Sequence, residues 1–203
     1  MKTIIITIIF LINTLLLASD IDSSKEVKHV DEEIYEIEGD FYEKIRQIEH
    51  EYRKDFTKIL LGADKVEIFI VKFDELKTIN NNIDKEKFMK TLSNKQTEIL
   101  QKKILSKDEI NLVLTTLSKQ IKSPENENHI DCHYPIHGMK IHKQDVLIFE
   151  STFCWFCSNF DFKYPIGNGT LQTTEEMERI FKKLLPIPQS EIDRFNKQFK
   201  KKK

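Results

Sequence analysis

Three thiols and three imidazoles fall in one short stretch of this chain. It reads Cys132-His133-Tyr134-Pro135-Ile136-His137-Gly138, passes His142, and ends Phe153-Cys154-Trp155-Phe156-Cys157. Such a set can hold a disulfide, a metal or a redox centre. As a metal site, Cys132, His137, Cys154 and Cys157 make a Cys3His set of the kind that closes tetrahedrally around a structural Zn2+, with His133 or His142 as substitutes for His137. As a covalent site, any two of Cys132, Cys154 and Cys157 form a bridge, and this is the preferred reading. The cofactor expectation is therefore none or Zn2+.

Strand geometry constrains the choice. On a straight strand Cys154 and Cys157 lie about 10 Å apart at Cα and on opposite faces, whereas a disulfide needs about 4.4–6.8 Å. They pair with each other, or share a metal, only across a turn or bulge. Otherwise one of them bonds Cys132 and the third thiol is left over. A redox Cys-x-x-Cys works best at a helix N-terminus, and here strand-like residues flank the pair. His137, held between a rigid proline and a permissive glycine, can ligate, act as a base, or hydrogen-bond a backbone group. The last role is favoured, with Glu150 as a candidate partner or a solvent-facing residue. No catalytic triad, phosphate loop, paired-carboxylate motif or His-Glu-x-x-His helix is present.

Residues 1–19 put one lysine before an apolar run, the pattern of a signal peptide and shorter than a bilayer span. The expectation is export to the periplasm, the cell envelope or the outside. Removal of this segment is favoured over its retention as an anchor, leaving no stable span. The 203 residues carry 32 Lys+Arg against 33 Asp+Glu, a balance without the basic footprint of a nucleic-acid binder. Lys197 and Lys200–Lys203 read as a solvated tail.

The elements that must position the cluster follow from periodicity. Val27, Val30, Ile34, Ile37, Phe41, Ile45, Ile48, Tyr52, Phe56 and Ile59 form one stripe of a long amphipathic helix over residues 20–62, with Gly39 a candidate kink and Gly62 its stop. That stripe packs on the following domain or on an unknown protein partner through residues 27–59. A domain over 63–188 follows, then a short helix and basic tail over 189–203. Val66–Phe73 reads as a strand, Ile79–Asn82 as a loop and Thr97–Leu105 as a second strand. Ser106 and Glu109 form a capping box for a helix with Ile110, Val113, Leu114, Leu117 and Ile121 on its face. Ser123–Asn128 reads as an exposed loop. Met139 and Ile141 alternate with Lys140 and His142, turn near Lys143–Asp145, and continue as Val146–Phe153, a hairpin. Phe160, Phe162 and Tyr164 alternate with polar residues in a further strand, closed by Pro165 and a turn at Gly167-Asn168-Gly169. Thr173 and Glu176 cap a helix with Met177, Ile180, Phe181 and Leu184. After Pro186 and Pro188, Ser190 starts the terminal helix with Ile192, Phe195 and Phe199. The sum is α+β: a mostly antiparallel sheet with helices on one face.

The stretch around the cysteines resembles a group of uncharacterised exported bacterial proteins and lipoproteins. Their pattern runs Cys-Phe-x-Pro-Arg-His-Gly, then strands ending Ile-Cys-Phe-Glu-Cys. The resemblance spans residues 65–188 loosely and 132–160 specifically. It implies that Cys132, Pro135, His137, Gly138, Cys154 and Cys157 fill the motif positions, with Ile136 and Trp155-Phe156 as departures. It implies fold and export rather than an activity. The functional expectation is a non-enzymatic exported binding or interaction domain stabilised by its Cys/His cluster. The rival is a metal- or thiol-dependent envelope enzyme using His137 with Cys154 and Cys157.

Overall fold

The computed structural model describes the backbone of residues 23–74, 77–78, 84, 86–91, 95–123, 132–165 and 167–199, and the side chains of all of these but 23–40 and 77–78. The expected leader at 1–19, the expected loops at 79–82 and 124–128, the helix side chains before Phe41 and Lys200–Lys203 lie outside the described residues. Two compact units are present, residues 1–47 and 48–203. The described part of the first is helical, with Phe41 and Tyr42 exposed.

The fold is α+β. Helix α1 (Ser23–Leu60) precedes β1 (Lys65–Val71), β2 (Lys77–Thr78), β3 (Phe88–Thr91) and β4 (Lys95–Ile104). Then come α2 (Lys107–Lys122), β5 (His137–Lys143), β6 (Val146–Cys154), β7 (Asn159–Tyr164), β8 (Gly167–Gln172), α3 (Glu175–Leu184) and α4 (Gln189–Phe199). The eight strands form one antiparallel sheet in the order β2-β4-β1-β5-β6-β7-β8, with β3 added to β4. Only β1, β5 and the middle of β4 lie between partners along most of their length. β1 is accordingly buried on both faces, which is why its sequence is almost continuously apolar.

One cluster joins Leu60 of α1, the Ile110–Ile121 face of α2 and Met177, Ile180 and Phe181 of α3 to Val66, Ile68, Met139, Ile141, Phe153, Phe160 and Phe162 of the sheet. The capping box of α2 forms as expected: Ser106 accepts the Glu109 amide, and the Glu109 carboxylate accepts the Ser106 amide. At α3 the cap lies one residue later than the sequence suggested. Thr174, not Thr173, accepts the Met177 amide, because the Thr173 amide is bonded back to the Ser158 carbonyl and holds that residue in the sheet connection.

Within residues 48–60 the packing face of α1 is Tyr52, Arg53, Phe56, Thr57 and Leu60, while Ile48 and Ile59 are exposed. Ile59, three residues after Phe56, falls behind that face and Leu60 takes its place. A second correction concerns Gly167-Asn168-Gly169, which is strand β8 rather than a turn. Gly169 lies opposite Phe162, and a Cβ there would meet the Tyr164 ring at 2.8 Å. The glycine therefore makes room for an aromatic ring within a strand, a use of glycine that turn propensity does not reveal.

The hairpin β5–β6 turns at Gln144 and Asp145, both left-handed (φ 51° and 62°), the conformation of the tight hairpin turn. Its second face is not solvent. Across it lies β3, whose Met89 packs with Phe69 and Val71. A Cβ on Gly138 would come within 2.3 Å of the Met89 sulfur, so this glycine admits β3 to the sheet face. Beneath the same cover, Lys140 is buried, with its ammonium over the Phe69 ring at 5.4 Å and 3.8 Å from Glu150.

Candidate functional site

The fold brings Cys132, His133, His137, Cys154 and Cys157 to one end of the β5–β6 hairpin and leaves His142 at the other, 3.8 Å from Glu67. β6 ends at Cys154, and residues 155–158 turn tightly, with Ser158 at φ 52°. Cys157 is bonded to Cys132, with Cα atoms 6.1 Å apart. The hairpin is thus stapled at its open end, opposite the Gln144-Asp145 turn. Cys154 is the third, free thiol, and it is buried. Its sulfur accepts the amides of Tyr134 (3.3 Å) and Cys157 (3.2 Å). Burial pushes the Cys154 thiol up, against those backbone amides, so it is a packed thiol rather than a nucleophile.

His137 is fully buried and both ring nitrogens are engaged. Trp155 Nε1–H donates to Nδ1 (2.8 Å), and Nε2–H donates to the Leu185 carbonyl (2.9 Å). Trp155 and Phe181 meet the ring edge-on. Burial lowers its pKa to about 4, the Leu185 bond opposing and Lys182 adding to the fall. His137 is thus a neutral tie between β5, the Cys154–Cys157 turn and the end of α3. Glu150 is not its partner: it points to the other face, toward Lys140 and the Lys90 amide (3.4 Å). Among the described residues no group of three or more His, Cys, Asp or Glu stands where it could hold a metal ion. Two of the four Zn2+ ligand candidates, Cys132 and Cys157, are joined to each other.

A second constellation lies on the β3 side. His133 Nδ1 is 2.7 Å from Asn159 Oδ1, and Asn159 Nδ2–H donates to the Cys132 carbonyl. Because that amide oxygen can only accept, Nδ1 carries the proton and Nε2 is bare. Nε2 faces Thr152 Oγ1 at 2.8 Å and Asp161 Oδ1 at 3.0 Å. Thr152 Oγ1 also lies 2.9 Å from Asp161 Oδ2 and 3.0 Å from Thr91 Oγ1. One hydroxyl proton cannot serve three neighbours. Thr152 donates to Asp161 Oδ2, and the bare Nε2 leaves Asp161 Oδ1, 3.0 Å away, without a donor. Burial raises the Asp161 pKa to about 8, with hydrogen bonds from Thr152 opposing and the Glu150 charge adding to the rise. Burial lowers that of His133 to about 4, against its bond to Asn159. In this arrangement Asp161 Oδ1 is buried without a hydrogen-bond partner.

Asp161 also lines a cavity of about 630 Å3. β6 and β7 pair only at Phe153↔Phe160 and Cys154↔Asn159, then part. Ser151 Oγ–H donates to the Asp161 carbonyl (2.8 Å) across the opening. The cavity occupies the split, walled by residues 147–150 of β6 and 161–164 of β7. Tyr52 and Phe56 of α1 close its aromatic side, against Phe149, Phe162 and Tyr164. Lys90 and Thr91 of β3, with Glu150 and Asp161, form its polar side. The sequence reading missed this site. It took Asp161 and Lys163 as the wet side of an alternating strand, and the one available signal was an aspartate between two core phenylalanines.

These features define a disulfide-bonded α+β domain with a cavity in its sheet. No family model matches the chain, and no curated protein or solved structure matches it.

Proposed function

We propose that this chain is an exported, non-enzymatic binding domain that holds a small molecule in the split between β6 and β7. The observation that carries this reading is the parting of two strands after two residue pairs around a cavity of about 630 Å3, within the range of small-molecule sites. Three helices would form the rigid backing, and the cavity would run through the split from Tyr52 and Phe56 of α1 to Lys90 and Thr91 of β3. The signal-like residues 1–19, the Cys132–Cys157 bridge and the resemblance to exported bacterial proteins all favour an oxidising compartment. Among the described residues no helix is long and apolar enough to cross a membrane. In this reading Tyr52 and Phe56 of the stripe over residues 27–59 serve the domain, and the exposed Phe41 and Ile48 remain for a protein partner. The rival thiol or metal enzyme draws no support from a buried thiol, a bridged Cys157 and a histidine with both nitrogens engaged.

The test uses the uncharged dye N-phenylnaphthylamine with the full chain. One equivalent should bind with enhanced fluorescence, and Ile148→Trp, which fills the cavity, should abolish binding without unfolding the domain. Binding that ignores the filled cavity, or no binding to the parent chain, would remove this reading.

A further inference from the structure

The charges lining the cavity are not balanced. Glu150 has its partners: Lys140 at 3.8 Å and the Lys90 backbone amide at 3.4 Å. Asp161 accepts the Thr152 hydroxyl, and burial raises its pKa to about 8. Lys90 and Lys163, which line the same cavity, have no ion-pair partner among the described residues. Negative charge in the cavity is already engaged and positive charge is not. Opposite the lysines stand the rings of Tyr52 and Phe56.

Resting on the binding reading above, we infer that the ligand is a small organic anion, a carboxylate on an aromatic or branched apolar body. The body lies against Tyr52 and Phe56 and the carboxylate meets Lys90 and Lys163. A neutral Asp161 carboxyl carries no charge to repel an anion, whereas an ionised one would repel it. An organic cation, which the aromatic rings alone would suit, meets two unpaired ammonium groups instead.

Three probes with one body and different heads separate the possibilities: 3-phenylpropionate, 3-phenylpropanol and 3-phenylpropylamine, each displacing N-phenylnaphthylamine from the full chain at pH 7. The propionate should bind at least about tenfold tighter than the other two. Lys90→Ala combined with Lys163→Ala, both exposed and therefore tolerated, should remove that advantage and leave the alcohol unaffected. A second readout is pH. The groups around Asp161 are His133 before β5, Glu150 of β6 with Lys140 of β5 behind it, Lys90 of β3 and its neighbour Lys163. Asp161 changes charge near pH 8, where His133 is already neutral. Propionate affinity should fall between pH 7 and 9, and Asp161→Asn should abolish the fall. Equal affinity for the three heads, or a preference for the amine, overturns the anion while leaving the cavity a binding site. Failure of all three probes and the dye overturns both.

Discussion

Two ends of the same pair of strands, β6 and β7, are built on opposite principles. Where they meet, at Phe153↔Phe160 and Cys154↔Asn159, polar and sulfur groups are largely satisfied: Cys132 with Cys157, the Cys154 sulfur with two amides, and His137 with Trp155 and Leu185. Where they part, a buried carboxyl oxygen lacks a hydrogen-bond partner and two lysines lack a counter-charge among the described residues. The residues whose types announced chemistry serve stability. The residues that look like ordinary strand polarity line the opening. Reactive side-chain types are therefore a poor guide to a site unless their remaining valences are counted.

The largest expected effect strikes the closed end. Cys132→Ser removes a bridge enclosing about 25 residues, which should lower unfolding free energy by about 3.5 kcal/mol. Denaturant titration of the oxidised protein and of the variant measures it; coincident curves would make the bridge idle. Reagent titration sharpens the same point, since a single thiol, Cys154, should react only after denaturation.

The next effect belongs to both ends and appears in pH. His133 and His137, lowered to about 4, are neutral when folded, so their contribution is lost as pH falls from about 6.5. Asp161, raised to about 8, keeps a proton that the unfolded chain releases near 4, so its contribution is lost as pH rises toward 8. Between about pH 4 and 6.5 the unfolded chain gains two protons relative to the folded one and lacks one, so stability climbs. From about 6.5 to 8 it falls, by about 2 kcal/mol at 1.36 kcal/mol per unit. Stability measured across pH should peak near 6.5, and Asp161→Asn should flatten the alkaline limb and steepen the acid limb from one proton to two. A limb that survives that substitution would mean that Asp161 is not the protonated group.

A smaller effect probes the cover over the second face. Gly138→Ala forces the Met89 thioether to move from a buried position, an overpacking that should cost about 1–2 kcal/mol. Restoration by Met89→Ala in the same chain would identify the contact as the cause. The smallest, Ser106→Ala, should cost about 1 kcal/mol by uncapping α2, and it should leave ligand displacement unchanged.

Local signals proved readable where the partner is close in sequence. Ser106 and Glu109 announced their cap, and the apolar face of α2 is buried as its spacing requires. The alternation of Met139 and Ile141 with Lys140 and His142 announced β5, and the leftover thiol was among the outcomes that strand geometry allowed. What could not be read depends on β3, which arrives from 60 residues away to lie against Glu150. Its presence converts Lys140, Thr152 and Asp161 from a wet face into a buried one. Period-two alternation separates the two faces of a strand without saying what covers either. The β8 glycines failed for a related reason: the Tyr164 ring over Gly169 is a tertiary fact that imitates a turn signal.

The two residue pairs joining β6 to β7 also set how the domain breathes. The β7–β8 hairpin pairs with the remaining strands only at Phe153↔Phe160 and Cys154↔Asn159 among the described residues, with side-chain ties from Phe149, Ser151 and Thr152. Amide hydrogens of β7 and β8 should therefore exchange together, as one cooperative unit opening ahead of global unfolding. Those of β1 and β5, flanked on both sides, should be the last to exchange.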